Sequence, residues 1–189
     1  MGMEKFSKWE IFSVPDFSFP QICIILESVV KCCIMNEKEK FMNIALKEAK
    51  KAYEKDEIPV GAIIVKDGKV IAKGYNQKEE KQNSLKHAEL IAIEKACKKL
   101  NSWRLMDCDM YVTLEPCSMC AGAIIQSRIR KVYIGTNDEK TGSCGSVLNL
   151  FKDYTFNHQV EMEDGICKEE CTEILKKFFK ELRVRKKKI

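Results

Sequence analysis

The stretch Thr113-Leu114-Glu115-Pro116-Cys117-Ser118-Met119-Cys120-Ala121-Gly122-Ala123-Ile124-Ile125 decides how this chain is read. A short apolar run over residues 110–114 breaks at Pro116, and the residues beyond it have helical composition, with thiols at Cys117 and Cys120. Both sulfurs therefore fall on the first turn of a helix, where residues three apart share a face. The unpaired N–H groups and partial positive charge of a helix N-terminus favour thiolate over thiol. Two convergent thiolates suit a soft-to-borderline cation such as zinc.

A structural zinc site takes four protein ligands, commonly from two such pairs, whereas a catalytic site takes three and leaves a position for water. The chain has no second Cys-x-x-Cys, and its histidines are His87 and His158. His87 stands at the head of another helical stretch, in Lys86-His87-Ala88-Glu89-Leu90, with Glu89 two residues on. His87, Cys117 and Cys120 with a carboxylate close by describe an open, catalytic zinc centre. A Cys-x-x-Cys alone reads equally as a redox pair or a buried structural pair. His-x-Glu followed by Pro-Cys-x-x-Cys, with 29 residues between His87 and Cys117, narrows the choice to the signature of zinc-dependent nucleobase deaminases.

At 189 residues the chain is long enough for one domain with a full core and a tail. Its net charge of +5 is unevenly placed: residues 176–189 carry +7 and the rest −2. A basic C-terminal segment on a near-neutral body is an electrostatic handle for a polyanion such as RNA or an acidic surface; on charge alone a solvated lysine tail fits equally. The ten cysteines do not form a framework of paired spacings, which predicts free, mostly buried thiols in a reducing cytoplasm.

Residues 1–35 read as an N-terminal extension of unknown role, poorly ordered, with Met35 resembling a natural start. The apolar run 22–34, about 13 residues, is shorter than the roughly 20 a bilayer requires and lacks the basic start and small-residue cleavage site of a signal peptide, so no membrane association is expected. From Asn36 the signals become regular. Asn36 is an N-cap with Glu39 at the third helical position, and Phe41, Ile44, Ala45, Ala49, Ala52 and Tyr53 recur at helical spacing to about Lys55. Residues 60–65 and 70–75 read as strands joined by the hairpin turn Lys66-Asp67-Gly68-Lys69. Further on, the pattern predicts helices at 87–100 and 117–127, strands at 111–114 and 131–135, a short helix at 147–151, a strand at 159–162 and a long helix from Lys168. Such alternation indicates an α/β sandwich, much of its sheet parallel after the opening hairpin, with the site at strand ends where helices begin.

From about Asn36 to Arg185 the chain resembles the bacterial tRNA-specific adenosine deaminases, cytidine-deaminase-like enzymes that convert the wobble adenosine of an arginine tRNA to inosine. The resemblance is carried by Ile58-Pro59-Val60-Gly61-Ala62, Asn76, His87-Ala88-Glu89, the stretch 111–124, Ser127-Arg128-Ile129, Gly135, Asp138, Lys140-Thr141-Gly142, Gly145-Ser146, Asn157-His158 and Phe178-Phe179. It implies a three-layer α/β/α cytidine-deaminase-like fold with a five-stranded mixed sheet opening on an antiparallel hairpin, and a zinc-dependent deaminase domain over 36–189 ending in a basic helix. It also implies one Zn2+ per subunit on His87, Cys117 and Cys120, Glu89 as the catalytic proton shuttle, a homodimer, and a tRNA anticodon stem-loop as partner.

By the same resemblance, Asn76 binds the flipped purine, with Val60 and the backbone of Ala88 shaping its pocket. Asp138 and Lys140 meet neighbouring nucleotides, Phe178 or Phe179 stacks near a flanking base, and Lys177 and Arg183 meet phosphate. Plainer readings stand beside these. Asn76 is also a turn asparagine ending a strand, Val60 a core residue, and Asp138 and Lys140 a solvated turn. Phe178 and Phe179 continue an apolar stripe with Leu175 and Leu182, and His158, which could contact RNA, reads more readily as structural. Ser84-Leu85-Lys86 departs from the proline and small residues that relatives carry before the histidine. Two rival functions are a free-base or nucleotide deaminase and a non-catalytic RNA-binding module with structural zinc; Glu89 speaks against the second.

Overall fold

The computed structural model describes residues 36–186, so the expectations for 1–35 lie outside the described residues. The first helix, α1 (Glu37–Glu54), starts where its cap predicts: the Asn36 side chain accepts from the Lys38 N–H, and Glu37 and Glu39 occupy the first turn. Its apolar stripe buries Phe41, Met42, Ala45, Leu46, Ala49 and Ala52. Then β1 (Gly61–Lys66) and β2 (Lys69–Tyr75) form an antiparallel hairpin. Asp67 (φ 49) and Gly68 (φ 68) both take the left-handed conformation that a two-residue turn of matching twist requires.

Four elements follow: α2 (Ala88–Leu100), β3 (Cys108–Leu114), α3 (Ser118–Gln126) and β4 (Lys131–Thr136). The described chain closes with a short β5 (Glu161–Glu163), two residues later than the sequence pattern suggests, and a long α4 (Lys168–Lys186).

The five strands lie in the order β2-β1-β3-β4-β5. β1 is antiparallel to both β2 and β3, while β3, β4 and β5 run parallel, so β1 alone is reversed. Consecutive β1 residues feed opposite faces, as a pleated strand must. Ala62 and Ile64 join Met110, Val112, Val132 and Ile134 in a core closed by α2 and α3 through Ala88, Ala92, Ala96, Ala121 and Ile124. Ile63 and Val65 join Tyr111 and Tyr133 beneath α1 and the start of α4, with Phe41, Met42, Ala45 and Cys171. This is the expected three-layer α/β/α arrangement on a mixed sheet.

The short helix expected over residues 147–151 is not formed. The Val147 and Leu148 N–H groups both donate to the Gly142 carbonyl, Gly145 N–H donates to Leu148, and Cys144 and Asn149 form a β-bridge. Backbone groups that a helix would use locally are committed to a compact loop instead.

Candidate metal centre and base pocket

Because β1 is reversed, the chain leaves β2, β3 and β4 at the same end of the sheet and enters β1 there. Asn76 follows β2, Glu115-Pro116-Cys117 follow β3, residues 137–146 follow β4, and Val60 precedes β1. Here, outside the carboxyl ends of strands, α/β sheets form their sites.

His87 and Cys117 are the N-cap residues of α2 and α3, both with extended backbone (φ −75, ψ 151 and φ −71, ψ 173). Cys120 lies one turn into α3, fully buried. Nδ1 of His87 is 3.8 Å from Cys117 Sγ and 3.5 Å from Cys120 Sγ, and all three donor atoms lie within 4.8 Å of one another. Among the described residues no other three His, Cys, Asp or Glu side chains converge in this way. Zinc–sulfur and zinc–nitrogen bonds of about 2.3 and 2.0 Å at tetrahedral angles put sulfur and nitrogen about 3.5 Å apart, so one imidazole and two thiols at these separations fit zinc.

The three donors shift one another's titration. The Cys117 thiol is drawn down to about 4, chiefly by its hydrogen bond with Cys120 and also by His87. Cys120, the other member of the pair, is pushed up by that shared bond and by burial. His87 is raised, first by its bond with Cys117. Glu89, 4% exposed in the first turn of α2, is raised by burial.

Asn76 is 5% exposed; its N–H donates to Val60 O (3.1 Å) and its Nδ2 to Glu57 Oε2 (3.1 Å). The next residue, Gln77, donates to Lys86 O (2.9 Å), which brings the end of β2 beside His87. Val60 and Ala88 are both buried at this end. Asp138 closes its own turn, accepting from the Lys140 and Thr141 N–H groups and the Thr141 hydroxyl, and leaves Lys140 exposed.

Phe178, Phe179 and Arg183 lie on α4, across the sheet from the helices that bear the thiols and imidazole. Phe178 is buried against Tyr53 (centroids 5.9 Å apart), while Phe179 is 37% exposed and Arg183 is exposed. His158 Nε2 bonds Ile129 O at 2.7 Å, a structural contact.

Two carboxylates that sequence reasoning leaves unassigned organise this end of the sheet. Glu115 accepts from the Asp138, Cys144 and Ser146 N–H groups (3.0, 2.9 and 3.1 Å) and from the Ser146 hydroxyl. It thereby ties the loop after β4 to the turn that bears Cys117, which itself bridges to Gly142. A charge inside the otherwise apolar stretch 110–125 is the signal that could have singled it out. Glu57, wholly buried, lies in Lys55-Asp56-Glu57, where nothing in the pattern marks it.

Fold, donor cluster and neighbouring carboxylate together define a deaminase of the three-layer α/β/α class. Residues 35–183 match the family of MafB19-like deaminases. The tRNA-specific adenosine deaminase of Bacillus subtilis (strain 168) is 49% identical over 81% of this chain and 95% of its own length. That of Aquifex aeolicus (strain VF5) is 49% identical over 77% and 96%. A solved structure from studies of A-to-I editing by tRNA:A34 deaminases is 44% identical, with a TM-score of 0.70, over 72% of this chain and 99% of that one. The chain belongs to this deaminase family and, within it, groups with the tRNA-specific adenosine deaminases.

Proposed function

We propose that this enzyme hydrolyses adenosine to inosine at the wobble position of a tRNA anticodon, an arginine tRNA, using one Zn2+ per subunit of a cytoplasmic homodimer. The observation that carries the reading is the convergence of His87, Cys117 and Cys120 with Glu89 buried in the adjoining helical turn. The identity to tRNA-specific adenosine deaminases supports the substrate.

Zinc bound by the three donors supplies Lewis acidity, which lowers the pKa of water to about 7. Glu89 is the group on this chain that moves protons. Its carboxylate takes a proton of the attacking water, delivers it to a ring nitrogen of the purine as oxygen bonds to C6, then takes the proton of the new C6 hydroxyl and gives it to the departing amine as the C6–N bond breaks and C6=O forms. Water and adenosine become inosine and ammonia, and Glu89 ends as it began. Burial, by raising its pKa, lets Glu89 hold a proton between the two transfers. Asn76 bonds the base, Val60 supports its face, and the Ala88 backbone closes the pocket.

An adenine inside a stack is out of reach of such a site, whereas an anticodon loop presents one already splayed out. Asp138 and Lys140 on the pinned loop meet the flanking nucleotides. On α4, Phe179 is the ring available for stacking, Phe178 buttresses it (centroids 5.6 Å apart), and Lys177 and Arg183 meet phosphate, so binding weakens as salt rises. Among the described residues no helix is long and apolar enough to cross a membrane.

Inosine formation in an arginine-tRNA anticodon stem-loop, measured with zinc-loaded protein beside Glu89→Ala, tests this. Conversion by wild type, with the variant binding RNA but not converting it, is the expected result. Wild type that holds one zinc per chain and leaves the stem-loop untouched, while releasing ammonia from free bases, overturns the substrate assignment.

A further inference from the structure

Asn76 is a planar amide whose two ends are nearly the same shape, so in a buried pocket its neighbours decide which end faces the base. The geometry points to Glu57 as the positioning residue that sets this orientation, and with it the donor and acceptor pattern the enzyme offers to the purine. The proposal rests on the reading of Asn76 as the base-binding side chain.

Glu57 lies in the connection from α1 to β1 and is wholly buried. Both of its oxygens are engaged as acceptors: Oε1 takes the Glu80 N–H at 2.6 Å and Oε2 takes Asn76 Nδ2 at 3.1 Å. The Glu80 bond fixes the carboxyl group, and Oε2, placed as an acceptor, takes the amino end of Asn76. Oδ1 of Asn76 and its remaining N–H are then left for other partners. The backbone bonds Asn76 N–H to Val60 O and Gln77 N–H to Lys86 O hold the residue itself in place beside His87. Orientation is thus relayed from a loop amide through Glu57 to the side chain that meets the ring.

Glu57→Gln isolates this role. Gln keeps an oxygen for the Glu80 N–H but turns its own amino group toward Nδ2 of Asn76, setting donor against donor. Asn76 relieves the clash by turning over, which exchanges C=O for N–H on the side facing the base. Burying one mismatched donor costs about tenfold or more in an equilibrium, and here the loss falls on the bound, reacting base.

The experiment measures kcat and KM on the stem-loop for wild type, Glu57→Gln, Asn76→Ala and the double variant. It also measures the side-chain NH2 resonance of Asn76 in zinc-loaded wild type. Glu57→Gln is expected to lower kcat about tenfold or more with KM, dominated by the RNA grip elsewhere, within about twofold. The double variant is expected to be no worse than Asn76→Ala alone. The wild-type NH2 group should exchange with water more slowly than those of exposed asparagines.

Unchanged kcat in Glu57→Gln, or losses that add in the double variant, overturn the proposal. So does rapid exchange of the Asn76 NH2 group, a measurement that needs neither turnover nor a folded variant. Wild type inactive on the stem-loop instead overturns the substrate reading, and the NH2 exchange still decides the role of Glu57.

Discussion

Replacing Gly74 by alanine should damage both stability and chemistry, because the two meet at that residue. Gly74 lies in β2 directly beneath the first turn of α2. A Cβ there would stand well inside contact distance of Ala88 O, 2.9 Å from Ala92 N and 3.2 Å from Ala88 C, where ordinary contact begins near 3.4 Å. The obstacles are all backbone, so no side chain can swing aside, and α2 must withdraw by about 1 Å. Overpacking of this kind costs about 1–3 kcal/mol, and a rigid neighbour puts it at the upper end. At 2–4 °C per kcal/mol for a chain of this size, Tm should fall by about 10 °C.

The same movement carries His87 and Glu89, and misplacement of that order costs about 100-fold in rate. The assay is thermal unfolding together with kcat/KM of the zinc-loaded protein, beside Gly122→Ala as control. Gly122, on α3, has nothing within 4 Å of an added Cβ, and alanine there should be neutral or stabilising by up to about 1 kcal/mol. Gly74→Ala with wild-type Tm and turnover would refute the idea that the close approach of β2 to α2 sets the position of the site.

Zinc binding should release more than one proton per ion near neutral pH, because His87 and Cys120 are both raised and both must shed protons to ligate, whereas Cys117 is already drawn toward thiolate. Affinity should therefore fall as pH is lowered, and calorimetry in buffers of different ionisation enthalpy reads the proton count directly. Glu115→Ala should strip the partners from three loop amides and cost about 2–3 kcal/mol, most of it local. Slow exchange persisting at the Cys144 and Ser146 amides would contradict this. Phe178→Ala should cost about 3 kcal/mol and Phe179→Ala less than about 1, since only the first ring is buried; equal losses in chemical denaturation would count against that distinction.

What the sequence made legible is what short-range physics controls. The Asn36 cap, the Asp67-Gly68 turn and the stripe of α1 each depend on neighbours within a few residues; the cap and turn form as expected, and the stripe buries Phe41, Ala45, Ala49 and Ala52 of the predicted set, with Ile44 and Tyr53 half-buried. The convergence of His87, Cys117 and Cys120 was legible for a related reason: placing donors at two helix starts leaves a spacing that the chain itself displays. The loop at 147–151 was misread because its apolar composition suits a helix, while its fate is set by Glu115 and the carbonyl of Gly142. Glu57 and Glu115 carry no role in the sequence pattern. Their importance comes from burial among backbone N–H groups more than 20 residues away in sequence, which no local pattern encodes.

His87 and Cys117 occupy helix N-caps without making a side-chain cap hydrogen bond. A serine, asparagine or aspartate at such a position commonly contributes about 1 kcal/mol. Two of the most favourable places to strengthen this fold are therefore occupied by members of the donor cluster, which on the proposed function ligate zinc. A search for thermostable variants guided by folding alone would be drawn to His87→Asn and Cys117→Asp, and each would yield a firmer helix while removing a donor from the cluster that the proposed function requires. In a screen that also demands activity, stabilising changes should therefore accumulate at the other helix ends.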